Sequence, residues 1–544
     1  MEGTCKTAPR LGSVSARVDG CGMLFNSYTF IFLFFPAALT IYVLVARYGR
    51  TAKLGAILAA SLFFYGWWDV RFLLLLGLSI LGNYTVGQRL TRSGESGNAA
   101  ASRAWLALGV TLNLVVLGIF KYANFFAENV DWLVGTHYSF GHIILPLGIS
   151  FFTFEQIGYL ADIKRGHHYR ADLLSYAVFV SFFPRLVAGP ILRYSEIEPQ
   201  FAPLGKSKFS MDDLAVGLTI FFIGLCKKSF LADGIAPYVA PAFSGAASGH
   251  AVGFLVAWGG VLAYTCQLYF DFSGYSDMAI GAARCFGIKF PVNFASPYKS
   301  GDIIEFWRRW HMTLSRFLRD YLYIPLGGNR RGPVRRYANL FVTMLLGGLW
   351  HGANWTFVCW GGLHGSYLMI NHGWKALAER NSGLGRLRAS HLWRVFAPVL
   401  TFLAVVVGWV FFRSPDFATG TNLLAGMCGL HGTTIPNGLL FLLRPLRGDL
   451  AYLGITFGMG SASTLIATYV WVVALLAVAF VMPNTQELLA RYSPSLVASG
   501  LDRTKHALYA RWSLSPGWAI VSGVVVFIGV ISITRVSEFL YWQF

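Results

Sequence analysis

The sequence predicts an all-α, polytopic membrane protein, and three observations carry that prediction. Of its 544 residues, 55% are hydrophobic and only 13% are charged, whereas about 25% of the residues of a soluble domain are charged. Apolar runs of about 20 residues, the length that crosses a bilayer as a helix, recur along the chain. Aromatic residues make up 16%, which suits a protein with two membrane–water interfaces, where Trp and Tyr concentrate. A soluble enzyme with a large core would not contain so many apolar runs.

The N-terminal region has two parts. Residues 1–22 are polar and show no hydrophobic period, whereas the run that starts at Met23 is apolar. That run is too long for the apolar region of a signal peptide, it lacks a small-residue cleavage site, and it ends in basic residues. We interpret it as the first membrane helix, residues 1–22 as an extension that need not be native, and residues 23–544 as a single membrane domain.

We expect about 11 to 13 membrane-embedded helices in that domain. Several apolar stretches are short or carry polar residues, which is typical of re-entrant or broken helices that are buried inside the protein. The candidate stretches are 24–46, 54–68, 70–87, 104–120, 143–160, 174–192, 213–231, 252–271, 338–350, 353–372, 394–412, 464–482 and 514–534.

The chain is strongly basic, with 44 Lys and Arg against 25 Asp and Glu, a net charge of +19. Most of the basic residues fall in short loops between apolar runs. The tendency of Lys and Arg to stay on the cytoplasmic side of a membrane, and their attraction to anionic lipids, explain this pattern better than nucleic-acid binding does. The two densest loops, 163–170 and 327–337, are therefore predicted to be cytoplasmic.

Metal and serine-hydrolase chemistry find no support in the motifs. Seven cysteines, an odd number without a CxxC pair, indicate buried apolar residues and neither disulfides nor a metal site. Three histidines, His311, His351 and His364, have the right chemistry for zinc, but they form no HxxxH or HExxH pair. A GxSxG nucleophile motif is also missing from the sequence.

Polar residues inside apolar segments are costly and concentrate between residues 264 and 364. In the first part, Ser273, Gly274 and Ser276 are turn-forming residues beside Asp271 and Asp277. We interpret the two aspartates as fixing helix ends and loops; cation binding and base catalysis stay open as alternatives.

The second part, residues 305–332, has the pattern of an amphipathic helix at the membrane interface. Its arginines could bind lipid phosphates, or they could recognise a phosphorylated donor. The apolar stripe contains Phe306, Trp310, Leu314, Phe317 and Tyr321, and the basic side contains Arg308, Arg309, Arg316 and Arg319.

The third part, residues 345–365, places His351 and His364 among glycines and tryptophans. An apolar surrounding favours the neutral imidazole, which can accept a proton as a general base does. A lone histidine on an apolar helix is often only a packed core residue. The small and flat neighbours of His351 leave room for a substrate, and they favour a catalytic role for this histidine.

Taken in order, these segments resemble the membrane-bound O-acyltransferases, in the bacterial branch that includes the alginate O-acetylation membrane protein. The resemblance runs from Met23 to the C-terminus. Its landmarks are MLFNSYTFIFLFFP from residue 23, LPLGISFFTFEQIGYLADIKRG at 145–166, FFPRLVAGPILRYSEIEPQF at 182–201, QLYFDFSGYSDMAIG at 267–281, FWRRWHMTLSRFLRDYLYIPLGGNRRG at 306–332, LGGLWHGANWTFVCWGGLHG at 346–365, PNTQ at 483–486 and FLYWQF at 539–544.

The resemblance implies a fold, a reaction and site residues. The fold is a ring of helices around a thinned membrane region with a central tunnel. His351 corresponds to the catalytic base, and His311 to an upstream position that holds His or Asn. Trp350, Asn354 and His364 are expected to line the tunnel. Arg185, where relatives often carry Gln, is a visible departure that removes no catalytic group.

The same resemblance implies that acetyl is transferred from acetyl-CoA, a co-substrate, with no bound cofactor. Its phosphates are expected at Arg308, Arg309, Arg330 and Arg331. The acceptor is expected to be a hydroxyl of a cell-envelope or exported polysaccharide, reached directly or through a periplasmic SGNH-type acetyltransferase, in the bacterial inner membrane. The alternative is an acyl conduit or transporter that feeds a separate periplasmic transferase.

Overall fold

The computed structural model describes residues 23–136, 138, 140–141, 143–167, 169, 171–187, 189–205, 209–496, 511–534 and 540. Nearly all regular structure in this part of the chain is helical, which confirms the all-α class. The interpretation of residues 1–22 as an extension falls outside the described residues.

The first part of the chain forms helices joined by short turns. A π-helical segment, Thr29–Phe34, leads into the first helix, and a second one, Gly118–Tyr122, joins the fourth helix to the fifth. The helices are α1 (Phe35–Leu44), α2 (Arg50–Trp68), α3 (Arg71–Glu95), α4 (Ala99–Leu117), α5 (Ala123–Val134), α6 (Ile149–Lys164), α7 (Leu173–Ser181), α8 (Phe183–Leu186) and α9 (Tyr194–Leu204).

The central part contains the longest helix and several of the motifs quoted above. Further π-helical segments, Lys227–Ala232 and Arg319–Tyr323, extend the helices that precede them. The helices are α10 (Met211–Cys226), α11 (Asp233–Ile235), α12 (Ala240–Ala247), α13 (Phe254–Cys285), α14 (Ile303–Arg309), α15 (Met312–Leu318), α16 (Pro333–His351) and α17 (Trp355–Arg380).

The C-terminal part adds helices and one small parallel ribbon. The ribbon pairs β1 (Thr433–Pro436) with β2 (Ile455–Gly458). The helices are α18 (Ser382–Ala389), α19 (His391–Arg413), α20 (Phe417–Met427), α21 (Leu440–Leu443), α22 (Arg447–Tyr452), α23 (Ala462–Val481), α24 (Thr485–Leu488) and α25 (Pro516–Ile531).

Five helices among the described residues are long and apolar enough to cross a membrane, which agrees with a polytopic protein. They span Thr29–Tyr48, Ala99–Val134, Met211–Tyr238, His391–Arg413 and Ala462–Val481. Large apolar side chains on α3, α19, α23 and α25 are exposed on the protein surface, as expected where lipid replaces water. Helix α13 is instead buried along most of its length, so its polar residues face protein. The total of 11 to 13 embedded helices stays a prediction.

Glycines bring α10 and α13 into direct backbone contact. A Cβ atom at Gly274 would lie 2.7 Å from the carbonyl oxygen of Gly224, and one at Gly281 would lie 2.5 Å from that of Gly217. The two pairs are spaced by seven residues on each antiparallel helix, so they occupy one face. Small residues of this kind let membrane helices approach closely.

Asp271 and Asp277 do not mark turns, and the interpretation that they fix helix ends and loops is wrong. Both lie inside α13, where Asp271 pairs with Lys228 at 2.5 Å and Asp277 pairs with Lys227 at 2.6 Å. The lysines belong to the π-helical segment after α10. The turn-forming residues beside the two aspartates do not end the helix. A buried carboxylate needs a partner cation, and the lysines supply it within the helical structure.

Arg185 lies in a fully buried ion pair with Glu155 of α6. The guanidinium also donates to the carbonyl oxygen of Phe179, and the carboxylate accepts the backbone N–H of Leu192 at 2.8 Å. Arg185 therefore ties α6, α7 and α8 together, and its role in the structure is to hold these helices.

Candidate active site

The chain makes a sharp break at His311. The sequence predicts one amphipathic helix over residues 305–332, but α14 ends at Arg309 and α15 begins at Met312. His311 adopts a left-handed backbone conformation, with φ 41° and ψ 53°, which few residues other than glycine tolerate. Its side chain is fully buried. The break therefore directs the side chain of His311 into the protein interior.

The backbone of residues 293–295 holds this break in place. The N–H of Ala295 donates to the carbonyl oxygen of Arg309 at 3.0 Å, and the N–H of Met312 donates to that of Asn293 at 2.9 Å. These bonds satisfy groups that the interrupted helix leaves unpaired.

Asn293 fixes the imidazole of His311. Its Oδ1 accepts the backbone N–H of Thr313 at 3.3 Å and the Thr313 hydroxyl at 2.9 Å, and it lies 3.1 Å from Nδ1 of His311. Because a backbone N–H can only donate, the Asn293 atom at this point is the oxygen, and His311 must donate from Nδ1. The neutral ring then carries its lone pair on Nε2, a buried atom without a hydrogen-bond partner in the described structure.

His351 is the last residue of α16, and glycines place it against α17. A Cβ atom at Gly348 would lie 2.2 Å from the carbonyl oxygen of Phe357, and one at Gly361 would lie 2.3 Å from that of Met344. Only glycine fits such an approach between antiparallel helices. The glycines around His351 therefore allow α16 and α17 to pack closely, and this packing positions the histidine.

The two histidines meet although 40 residues separate them in the sequence. Their ring centroids lie 6.3 Å apart with an interplanar angle of 61°. Aromatic rings surround them: Trp350, Trp360 and Phe412 lie 5.0, 5.1 and 5.2 Å from the His351 ring. Nδ1 of His351 is also a buried atom without a hydrogen-bond partner in the part of the chain that the structure describes. We call this region the histidine chamber, defined by His311, His351 and these three aromatic residues.

Residues of the helix α4–α5 unit contact the end of α16. The Lys121 ammonium donates to the carbonyl oxygen of Trp350 at 2.5 Å and to that of His351 at 3.1 Å. The Tyr122 hydroxyl donates to the carbonyl oxygen of Leu349 at 2.9 Å. Sequence reasoning missed both residues, although one lysine in a long apolar run is a signal that can be read.

The predicted lining residues take different places. Trp350 lies in the chamber, with its ring 5.0 Å from the His351 ring and 6.1 Å from the His311 ring. His364 lies one step beyond, 4.8 Å from the Trp360 ring and 5.2 Å from the Trp307 ring. Asn354 caps α17 by accepting the N–H of Thr356 at 3.0 Å, and it donates to the carbonyl oxygen of Pro415 at 2.8 Å.

The four arginines that are expected to bind a donor do not cluster tightly. Arg309 is committed to an ion pair with Glu305 at 2.7 Å, whereas Arg308, Arg330 and Arg331 are exposed. Arg330 and Arg331 lie in the turn before α16. At 1.5 Å per residue, α16 rises about 27 Å from Pro333 to His351, so these two arginines and the chamber lie at opposite ends of one helix.

A second arginine cluster connects the first of the two loops that are predicted to be cytoplasmic with the π-helical segment Arg319–Tyr323, which precedes the second loop. The Tyr321 hydroxyl donates to Asp162 at 2.7 Å, and Arg165 donates to the carbonyl oxygen of Asp320. Burial favours a higher pKa for the Asp320 carboxyl, but hydrogen bonds from Arg319 and Arg193 hold that pKa below its usual value. The start of the first basic loop therefore lies beside the segment that leads into the second; His168 and Arg170 of the first loop are outside the described residues.

A small cavity of about 10 Å³, room for a single water, lies beside this cluster. Its walls include Glu155, Thr313 and Arg316, with Phe154 and Phe317 on the apolar side. The wider central tunnel stays a prediction. Among the residues that the structure describes, no group of three or more His, Cys, Asp or Glu side chains is arranged to hold a metal ion.

Comparison with known proteins places this fold and site in a class. The family model of the membrane-bound O-acyltransferases matches residues 105–408, a range that contains both chamber histidines. The chain belongs to the membrane-bound O-acyltransferase family, as the sequence resemblance predicts.

Two similar relatives are O-acetylation proteins. The chain is 41% identical over 441 residues to a peptidoglycan O-acetyltransferase of Helicobacter pylori, which covers 76% of this chain and 81% of that protein. It is 45% identical over 413 residues to the probable alginate O-acetylase AlgI of Pseudomonas aeruginosa, with 74% of this chain and 75% of that protein covered.

A more distant relative is the teichoic acid D-alanyltransferase of Bacillus subtilis, 28% identical over 289 residues, with 52% of this chain and 72% of that protein covered. The fold, the family match and the named activities of these relatives make this chain a membrane-bound O-acyltransferase.

Proposed function

We propose that this protein is an O-acetyltransferase of the bacterial inner membrane, which moves acetyl from acetyl-CoA toward a hydroxyl of a cell-envelope or exported polysaccharide. The observation that carries the proposal is the meeting of His311 and His351 in one buried aromatic chamber. The names of the relatives, which act on peptidoglycan and alginate, support acetyl as the acyl group and a glycan as the acceptor.

In the proposed reaction, neutral His351 takes the proton of the acceptor hydroxyl while the oxygen attacks the thioester carbonyl. The C–S bond then breaks, the ester remains on the acceptor, and the thiolate of coenzyme A takes the proton back from His351. General base catalysis of this kind contributes about 10²- to 10⁴-fold to a rate. The aromatic walls of the chamber serve the reaction because they keep water away from the thioester.

His311 is suited to hold the acceptor. Since Asn293 fixes the proton on Nδ1, the neutral ring offers a lone pair at Nε2 and no N–H. This ring can accept a hydrogen bond from a second hydroxyl of a polyol acceptor. The same ring can stabilise the oxyanion that forms when the hydroxyl attacks the thioester only after it has gained a proton. We therefore assign His311 to orienting the acceptor beside His351.

The donor is proposed to approach from the face that carries Arg330 and Arg331. About 27 Å of helix separates these residues from His351, so a donor anchored there must carry its acyl group on a long, thin arm. An acyl thioester of coenzyme A has phosphates at one end and the reactive carbonyl at the other. Guanidinium groups bind such phosphates well. Arg308 lies closer to His311 in sequence and is proposed to contact the same ligand.

The acceptor is proposed to be reached either directly or through a periplasmic SGNH-type acetyltransferase. In the second case a side chain of that partner is acylated first. A pure conduit, which passes the acyl group without using His351 as a base, would differ from both because its activity would not depend on that histidine.

The test of the proposed function is acetyl transfer by purified protein in nanodiscs with radiolabelled acetyl-CoA, in which His351→Ala is compared with the wild type. We expect the wild type to release label to glycan, partner or water, and we expect His351→Ala to lose at least about 100-fold in kcat, because the proton acceptor is gone. Thermal unfolding of both proteins in the same nanodiscs shows whether the variant is folded.

A matched control is His431→Ala, which removes a histidine outside the chamber whose Nδ1 lies 3.2 Å from the carbonyl oxygen of Val252. This variant should keep activity within twofold of the wild type. If folded His351→Ala transfers acetyl at the wild-type rate, the catalytic assignment is wrong.

A further inference from the structure

Lys121 is a charged residue inside a helix that is predicted to cross the membrane. It lies in the helical span Ala99–Val134, which is long and apolar enough to cross a membrane. A charge in such a segment is costly and calls for a function. Among the residues that the structure describes, no carboxylate lies within ion-pair distance of the Lys121 ammonium, which donates its hydrogen bonds to two backbone carbonyl oxygens of α16.

Those carbonyl groups belong to the last turn of α16, which ends with His351, the candidate base. The last four C=O groups of any α-helix have no partner within the helix, and the aligned peptide dipoles make that end partly negative. Gly352 leaves α16 in an extended conformation, with φ −163° and ψ 151°. Lys121 and Tyr122 then supply donors to three consecutive carbonyl groups, those of Leu349, Trp350 and His351.

The π-helical segment Gly118–Tyr122 explains how neighbouring residues reach the same target. A π-helical turn inserts an extra residue in a helix and often marks a functional position. Here it directs the Lys121 and Tyr122 side chains to the same helix end. Lys121 also lies 5.7 Å from the centre of the Trp350 ring, over which a cation is attracted.

We propose that Lys121 and Tyr122 are positioning residues that cap α16 and hold His351 at its distance from His311. The inference rests on the proposed function, because it gives His351 its role, but the capping itself is a structural property that can be measured without activity. The lysine supplies a cation and two hydrogen bonds, and the tyrosine supplies one hydrogen bond.

The experiment compares Lys121→Met, Lys121→Arg and Tyr122→Phe in the acetyl-transfer assay. Lys121→Met keeps the length of the side chain and removes the donors. We expect its kcat to fall by about 10- to 100-fold with KM changed less than about twofold, since a small misplacement of a catalytic group costs about that factor. Lys121→Arg should recover most of the lost kcat, and Tyr122→Phe, the mildest change, should lower kcat by about three- to tenfold.

Lys53→Met is the matched control. Lys53 is also buried, and it donates to the carbonyl oxygen of Leu204 at 2.8 Å, the last residue of α9, a helix without a chamber histidine. This variant loses the same kind of contact, so a comparable loss of thermal stability with an unchanged kcat per folded protein is expected. Equal kcat losses in Lys121→Met and Lys53→Met would overturn the proposal.

Hydrogen exchange of the peptide that covers residues 345–355 gives a readout independent of activity. In Lys121→Met and in Tyr122→Phe, faster exchange at the end of α16 is expected, and unchanged exchange in both would contradict the capping. If His351→Ala is active, the proposed function fails whatever the exchange shows. If His351→Ala is inactive while Lys121→Met and Tyr122→Phe keep the wild-type kcat, the positioning role alone fails.

Discussion

At the scale of single residues, Asn293 decides what the chamber can do. One oxygen atom of this side chain joins the backbone and hydroxyl of Thr313 to the ring of His311. The same contact sets the tautomer of the imidazole, so it determines whether Nε2 accepts or donates. Asn293 contacts no proposed substrate, but it sets whether His311 accepts or donates a hydrogen bond at Nε2.

We expect Asn293→Ala to lower kcat by about 10- to 100-fold and to reduce the free energy of unfolding by about 1–3 kcal/mol, the cost of leaving buried donors without an acceptor. Initial-rate kinetics and thermal unfolding measure the two effects separately. Thr313→Val is the comparison, because it removes one bond to the same oxygen and spares the His311 contact. If Thr313→Val lowers kcat as much as Asn293→Ala does, the tautomer argument fails.

The residues of the candidate site could be predicted further than its geometry. The motifs single out His351, the family resemblance adds His311, and the structure brings the two side chains together. The break between α14 and α15 could not be found from the hydrophobic period, since Phe306, Trp310 and Phe317 stay buried on both sides of it. Asn293 lies in a segment whose backbone bonds depend on that break, so its role also required the structure.

At the scale of elements, the contact between α10 and α13 shows how buried charge and close packing support each other. The glycine pairs bring the two backbones together, and the lysines that follow α10 then reach Asp271 and Asp277. The sequence shows the glycines and the aspartates, but the lysine partners lie 43 and 50 residues away, 271 − 228 and 277 − 227. Local turn propensity therefore gave the wrong answer.

Gly274→Leu should destabilise the protein by more than about 3 kcal/mol, because its Cβ atom would already overlap the carbonyl oxygen of Gly224 and overpacking of a smaller kind costs about 1–3 kcal/mol. The measurement is the midpoint of thermal unfolding in a fixed detergent. Gly82→Leu is the control: this exposed glycine on α3 has no atom within 4 Å of an added Cβ, so its unfolding midpoint should not fall. Equal midpoints for the two variants would refute the packing argument.

At the scale of the whole molecule, the two ends of α13 contact different parts of the chain: α9, whose Glu196 pairs with Arg316, and α20, which precedes the ribbon. Gln200 of α9 contacts the chain just beyond the C-terminal end of α13, by donating to the carbonyl oxygen of Lys289 at 3.0 Å. Near the other end of α13, Trp258 donates to the carbonyl oxygen of Met427 at 3.0 Å. The helix rises about 40 Å from Trp258 to its last residue, Cys285, so these contacts lie near its opposite ends.

If the positive loops are cytoplasmic, Cys428 and Arg330 should be accessible from opposite sides. We expect a membrane-impermeant maleimide to label native Cys428, which is exposed, in intact spheroplasts, and to label an Arg330→Cys variant only in inverted membrane vesicles. Peptide mass spectrometry identifies the labelled site. The reverse pattern would show that the protein has the opposite orientation.

The left-handed backbone at His311 also restricts which amino acids this position can hold. Apart from glycine, Asn, Asp and His are the residues most often found in that conformation, and a β-branched residue there would be a steric outlier. The resemblance to the family gives His or Asn at this position, and both belong to that small group. The backbone conformation therefore restricts the residue type at this position independently of any contact with substrate. An engineer who wants a different functional group beside His351 has to rebuild residues 309–312 along with the side chain.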